Sequence, residues 1–216
     1  MKKSWILLCI GLIVGLVTGV VIGSGLFGTV KQDGENSYTL NNMGLFETIE
    51  EFQAVYPDVV IPDTLNGYKL EQLIVTEDLI TNASHSFVEE VIKKSSWEHD
   101  LSLIDYLGIS YKSQNDEMIK INYKEKSKKF IPQLKDYTLD KTQIGDMTYN
   151  IYHDGTSIRF ITFEKELWGK EYNVHVELLK TKADGSVAKQ FELYKDKGEM
   201  IEFLQSLSLN TLVKER

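Results

Sequence analysis

The sequence has 216 residues, with 24 Lys and Arg against 32 Asp and Glu, a formal net charge of −8, and a single cysteine. Without Lys2 and Lys3 the 24 basic residues fall to 22 against 32 acidic ones, a balance of about −10. That argues against nucleic acid or an anionic lipid surface as a partner, since both select clustered Lys and Arg. One cysteine, Cys9, excludes an internal disulfide, so the fold must be held by packing.

Trp5 to Val30 is an unbroken run without a charged residue, preceded only by Met1, Lys2, Lys3 and Ser4. At ~1.5 Å rise per residue, about 20 apolar residues cross the hydrocarbon core of a bilayer, so the run predicts a transmembrane helix over 5–30. Lys2 and Lys3 place residues 1–4 in the cytoplasm and the rest of the chain outside, because basic residues beside a span are retained inside. A cleaved secretory signal is the competing reading. Its apolar core should run about 7–15 residues and end at an A-x-A-like site. This run contains no alanine and offers only Gly23-x-Gly25. Leu8, in front of Cys9, stands where a lipidated signal needs a small residue, so Cys9 is expected to pack as a small apolar side chain. Gly11, Gly15, Gly19 and Gly23 recur at every fourth residue. Such a row lets two helix backbones approach closely and predicts a helix-packing face, although glycine is also common in membrane helices generally.

Lys31 to Gly44 is polar, rich in Gly and Asn and without apolar periodicity, and predicts a linker over 31–44. Leu45, Ile49, Phe52 and Tyr56 fall at i, i+4, i+7 and i+11, one face of a helix with Asn42 as cap and Pro57 as stop. The apolar stretch Val59-Val60-Ile61 leads through Pro62 to an Asn66-Gly67 turn, and Tyr68 to Thr76 opens a strand. Leu79 to Trp97 is ambiguous; Phe87, Val88, Val91 and Ile92 favour a helix face over continued sheet.

Leu101, Leu103, Leu107, Ile109 and Tyr111 alternate, and after the polar turn at Ser113 to Asp116 so do Ile119, Ile121 and Tyr123, which predicts an antiparallel hairpin. Lys124 to Gln143 is charged, contains Pro132 and reads as connection, with Phe130, Ile131 and Leu134 tucked beneath it. Met147, Tyr149, Ile151 and His153 alternate into Asp154-Gly155, a dipeptide favoured in tight hairpins, and Ser157 to Phe163 returns. Beyond Leu167 to Glu171, Tyr172, Val174, Val176 and Leu178 alternate again. A turn at Asp184-Gly185 and one more strand over Val187 to Leu193 follow. Asp196 and Glu199 have the spacing of a capping box ahead of the stripe Met200, Ile201, Leu204 and Leu207, which predicts a closing helix before a tail over 210–216. The expectation is an α+β domain over 45–209, with five to seven mainly antiparallel strands and one to three flanking helices.

The stretch Ile61, Pro62, Leu65, Gly67, Tyr68 and Leu70, the bend at Trp168 and Tyr172, and the end at Glu199 to Leu207 carry a resemblance. In them the chain resembles an uncharacterised extracytoplasmic domain family of Gram-positive bacteria, a domain of unknown function sometimes attached to anti-sigma factors. The resemblance spans most of 45–209 and implies an α+β domain with a curved antiparallel sheet. It brings no catalytic residues. Anti-sigma members carry a cytoplasmic module, for which this chain has only residues 1–4.

His85, His99, His153 and His175 show no H-E-x-x-H spacing and no cysteine partner, so no metal is expected. His99-Asp100 and His153-Asp154 are adjacent, yet neighbours in a strand point to opposite faces. Ser84 or Ser86 could serve a dispersed hydrolase site, but no G-x-S-x-G elbow exists to expose them. Nucleotide-binding glycine loops are absent, and Glu50-Glu51 and Glu89-Glu90 diverge around a helix and should face water. Trp97, Trp168 and the tyrosines fit either a ligand groove or cross-strand packing. No cofactor is expected. The function expected is a non-enzymatic, single-span, extracytoplasmic binding domain for a protein, envelope or apolar ligand. The alternatives are a structural accessory subunit assembled through the glycine row, and an envelope hydrolase.

Overall fold

Alternation of apolar and polar side chains builds most of the molecule. The computed structural model describes residues 26–32, 38–83, 100–126, 137–155, 157–181, 187–188, 191–192 and 197–215. Among them, the strands in chain order are β1 (Leu26–Gln32), β2 (Tyr38–Phe46), β3 (Val59–Val60), β4 (Thr64–Leu65), β5 (Tyr68–Ala83), β6 (Ile104–Lys112) and β7 (Glu117–Glu125). They continue with β8 (Thr138–Ile144), β9 (Met147–His153), β10 (Ser157–Leu167), β11 (Lys170–Thr181), β12 (Val187–Ala188), β13 (Phe191–Glu192) and β14 (Lys214–Glu215). Two α-helices accompany them, α1 (Ile49–Val55) and α2 (Lys197–Ser206).

One sheet runs in the order β1-β2-β5-β6-β7-β11-β10-β9-β8, with β4, β12 and β13 paired at its margins, and every pairing is antiparallel. The register aligns Leu73, Ile109, Ile121, Val176, Ile161 and Ile151 in a row across six strands. A second row holds Val75, Leu107, Tyr123, Val174 and Phe163, and all of these side chains are buried. Phe52 and Tyr56 of the α1 region, Met200 and Leu204 of α2, and Leu207 beyond it join the same hydrophobic cluster, so both helices cover this one face. An α+β domain dominated by antiparallel sheet is thus observed.

The Asn66-Gly67 turn forms as expected, both residues taking left-handed backbone (φ 47° and 84°) between β4 and β5. The hairpins β6–β7 and β9–β10 also form as expected.

Elsewhere the structure corrects the sequence reading. Leu26–Gln32, read as the end of the apolar helix and the start of the linker, and Tyr38–Phe46, read as linker and helix start, are paired strands. Thr29 and Val30 are β-branched and suit a pleated strand, a preference that a count of apolar residues does not register. The first helix therefore begins at Ile49, and its cap is Thr48 rather than Asn42. Thr48 Oγ1 accepts the Glu51 amide at 3.2 Å, while the Glu51 carboxylate accepts the Glu47 amide at 3.0 Å. Phe46 is 1% exposed and Leu45 42%, the reverse of the helical expectation, because consecutive strand residues face opposite ways. Residues 79–83 belong to β5 rather than to a helix. Strand β8 lies in what read as connection, and the expected strand over 187–193 is two short pieces. The supposed tail over 210–216 is integral: Leu212 and Val213 are buried, and β14 pairs with β3. Residues 5–25, including Gly11, Gly15, Gly19 and Gly23, and residues 84–97 and Asp196 lie outside the described residues. Among the described residues, no helix is long and apolar enough to cross a membrane.

Candidate functional site: a polar depression on the outer face

The pleat that turns the apolar rows inward turns their neighbours outward onto the opposite face of the sheet. There the register sets Gly108, Asn122, His175, Thr162 and Asn150 side by side, flanked by a row of Tyr106, Lys124, Asn173 and Glu164. On β6, β7 and β11 this face encloses a depression of about 580 Å³, lined by Asp105, Tyr106, Asn122, Lys124, Asn173, His175 and Glu177. Two carboxylates, one ammonium, one imidazole, two amides and a phenol therefore converge from three adjacent strands.

Several contacts fix the lining. Tyr106 donates from its hydroxyl to Asn122 Oδ1 at 2.7 Å. Burial, and then the nearby Glu177 carboxylate, push the Tyr106 phenol above its ordinary range, so it stays a donor at neutral pH. Asp105, 8% exposed, is the second residue of β6, following Ile104, whose carbonyl accepts the Tyr172 hydroxyl at 2.6 Å. An aromatic wall borders His175: Phe160 meets it edge-on with ring centres 4.7 Å apart, stacks on Tyr152 at 4.5 Å and touches Tyr137 at 5.8 Å. A bulge between Ile158 and Phe160 sets the β9–β10 register that places Phe160 and Tyr152 on this outer side.

Among the described residues, His175 is the histidine that lines the depression. His153 lies at the end of β9, where Nδ1 accepts the Gly155 amide at 3.2 Å and Nε2 faces Asp140 at 3.3 Å. Its sequence neighbour Asp154, in the turn just after β9, accepts the Ser157 amide and pairs with Arg159. Trp168 sits in a left-handed turn and packs edge-on against Tyr172 at 5.9 Å, the cross-strand packing role. Glu50 and Glu51 face water. His85, His99, Trp97, Ser84, Ser86 and Glu89-Glu90 lie outside the described residues.

Tyr106 counts with the other tyrosines as groove lining or packing, while Gly108 and Asn122 escaped the sequence reading, which followed the apolar half of the alternation. The available signal was Gly108, a glycine in the middle of a strand otherwise rich in large side chains. Among the described residues, no serine, threonine or cysteine lines the depression. Among the described residues no group of His, Cys, Asp and Glu is placed to hold a metal ion. No family model, curated protein or solved structure matches the chain.

Proposed function

We propose that this chain is a non-enzymatic binding module, held outside a membrane by its apolar N-terminal run, that takes a polar ligand in the depression on β6, β7 and β11. The observation carrying the proposal is the convergence of seven hydrogen-bonding side chains from three strands of one sheet. Sites on paired strands hold their groups more precisely than sites on loops, which suits recognition. A partner within the envelope follows from the orientation set by Lys2 and Lys3 and from the resemblance to an extracytoplasmic domain family.

The experiment is a thermal-shift screen of the full-length chain against a panel of polar solutes. A solute at about 100 times its Kd adds about 2.7 kcal/mol to stability, which raises Tm by roughly 5–10 °C for a chain of this size. Asn173→Ala should remove that rise, and Glu50→Ala on exposed α1 should leave it intact. A screen without any stabilising solute, or stabilisation indifferent to Asn173, defeats the proposal.

One observation favours a second reading, an acid–base hydrolase. His175 shares the depression with Asp105 and Glu177, groups able to move protons and activate a water. In that case a solute is consumed rather than held, and His175→Gln abolishes its turnover.

A further inference from the structure

Gly108 occupies the middle of β6, a central strand of the sheet, where a glycine weakens the strand and signals a close approach by another group. The approaching group is Tyr106. A Cβ placed on Gly108 would stand 2.8 Å from the Tyr106 hydroxyl oxygen and 3.1 and 3.2 Å from two of its ring carbons. No alanine fits there without moving the ring. Instead of standing off the sheet, Tyr106 leans along its own strand across Gly108. Its hydroxyl is held on the far side by Asn122, the residue paired directly opposite Gly108. One side of the ring is therefore taken up by backbone, and the ring also lines the depression.

On the strength of the binding reading above, we propose that the ligand is a saccharide, one of whose pyranose rings stacks on the flattened face of Tyr106. An aromatic ring laid along a sheet offers a flat π surface to the C–H groups on the apolar side of a pyranose. Amides and carboxylates around it match the hydroxyls at the sugar's edge, because hydroxyls both donate and accept while Asn122, Asn173, Asp105 and Glu177 supply both functions. Charge points the same way. Two carboxylates beside Lys124 and His175 give the lining no strong single sign, so it selects hydrogen-bonding pattern over ionic charge. A volume of about 580 Å³ lies within the roughly 300–1,000 Å³ typical of sites that enclose a small ligand.

The test is calorimetric titration of the full-length chain, in a detergent without a sugar headgroup, with two probes: a β-1,4-linked N-acetylglucosamine tetramer and maltotetraose. At least one should bind, and Tyr106→Ala should weaken that binding about tenfold or more by removing the stacking surface. Gly108→Ala, which displaces the ring but deletes no polar group, should weaken binding comparably while the far-UV circular dichroism remains that of the native sheet. Tyr106→Phe keeps the ring, so it should retain more binding than Tyr106→Ala. The proposal is overturned if neither probe binds at millimolar concentration, or if binding is unchanged in both Tyr106→Ala and Gly108→Ala. A negative result here, with an Asn173-dependent solute found in the thermal-shift screen, refutes the saccharide and leaves the binding module. Both negative refute the two together.

Discussion

Tyr123 is fully buried in the centre of the core face, and its hydroxyl has no hydrogen-bond partner among the described residues. Its neighbours in the cluster do better: Tyr111 donates to the Pro62 carbonyl at 2.9 Å, and Tyr172 donates to that of Ile104 at 2.6 Å. A satisfied hydroxyl contributes about 1 kcal/mol net, whereas an unsatisfied buried one costs about 1–3 kcal/mol. Tyr123→Phe should therefore be neutral or stabilising, and Tyr172→Phe should lose about 1 kcal/mol, both read from urea unfolding at equilibrium. A Tyr123→Phe chain less stable than Tyr172→Phe would contradict this account. Sequence alternation identified both residues as inward-facing. It could not say which hydroxyl meets a carbonyl, because Pro62 and Ile104 reach these rings through long-range packing that local periodicity does not encode.

Among the elements, the most legible were those closed by short turns. The β6–β7 and β9–β10 hairpins carry their alternation and their turn residues within about twenty residues. Strand β8 was missed because it is the outermost strand in its half of the sheet, with only Leu139 and Ile144 apolar among Thr138–Ile144. Pairing with β9 through the Gly145-Asp146 turn forms it, not its own pattern. Likewise, the helix at residue 49 was signalled less by apolar spacing than by Thr48-x-x-Glu51, a capping box that the apolar count overlooked. The outermost position gives β8 a hazard, since Leu139 is 44% exposed on a strand with a free edge among the described elements. Asp140 and Lys141 are the charges that oppose pairing with another chain. Replacing both with valine should raise self-association in sedimentation velocity at matched concentration; an unchanged distribution would show that the charges do not protect this edge.

At the scale of the whole molecule, seven tyrosines, Tyr56, Tyr68, Tyr106, Tyr111, Tyr123, Tyr149 and Tyr172, are pushed above the ordinary value of 10.0, with burial the largest cause in each. Tyr68, whose hydroxyl also donates to Glu117 at 3.2 Å, is pushed up to about 12. A raised phenol is held neutral by folding. The stability it contributes is complete below the unfolded value and disappears as pH rises from there towards the folded one. Tm should therefore fall steeply between about pH 9 and about pH 11, and a flat profile there would refute the coupling. The strand order was only partly legible: β7–β11 joins Tyr123 to Val174, and no local signal predicts a pairing across so long a stretch of chain. Of the site, only His175 and, among the tyrosines, Tyr106 were legible, since the outward half of each strand acquires meaning after the register is known. Strand β1 opens at Leu26, within the last residues of the apolar run, and it forms one margin of the sheet. In the tethered reading, hydrogen-bonded strands rather than a flexible spacer then set the reach from anchor to ligand. The depression lies three to five strands from β1, roughly 14–24 Å at ~4.8 Å per strand, so the sheet acts as a ruler that holds the site at a fixed offset from its point of attachment.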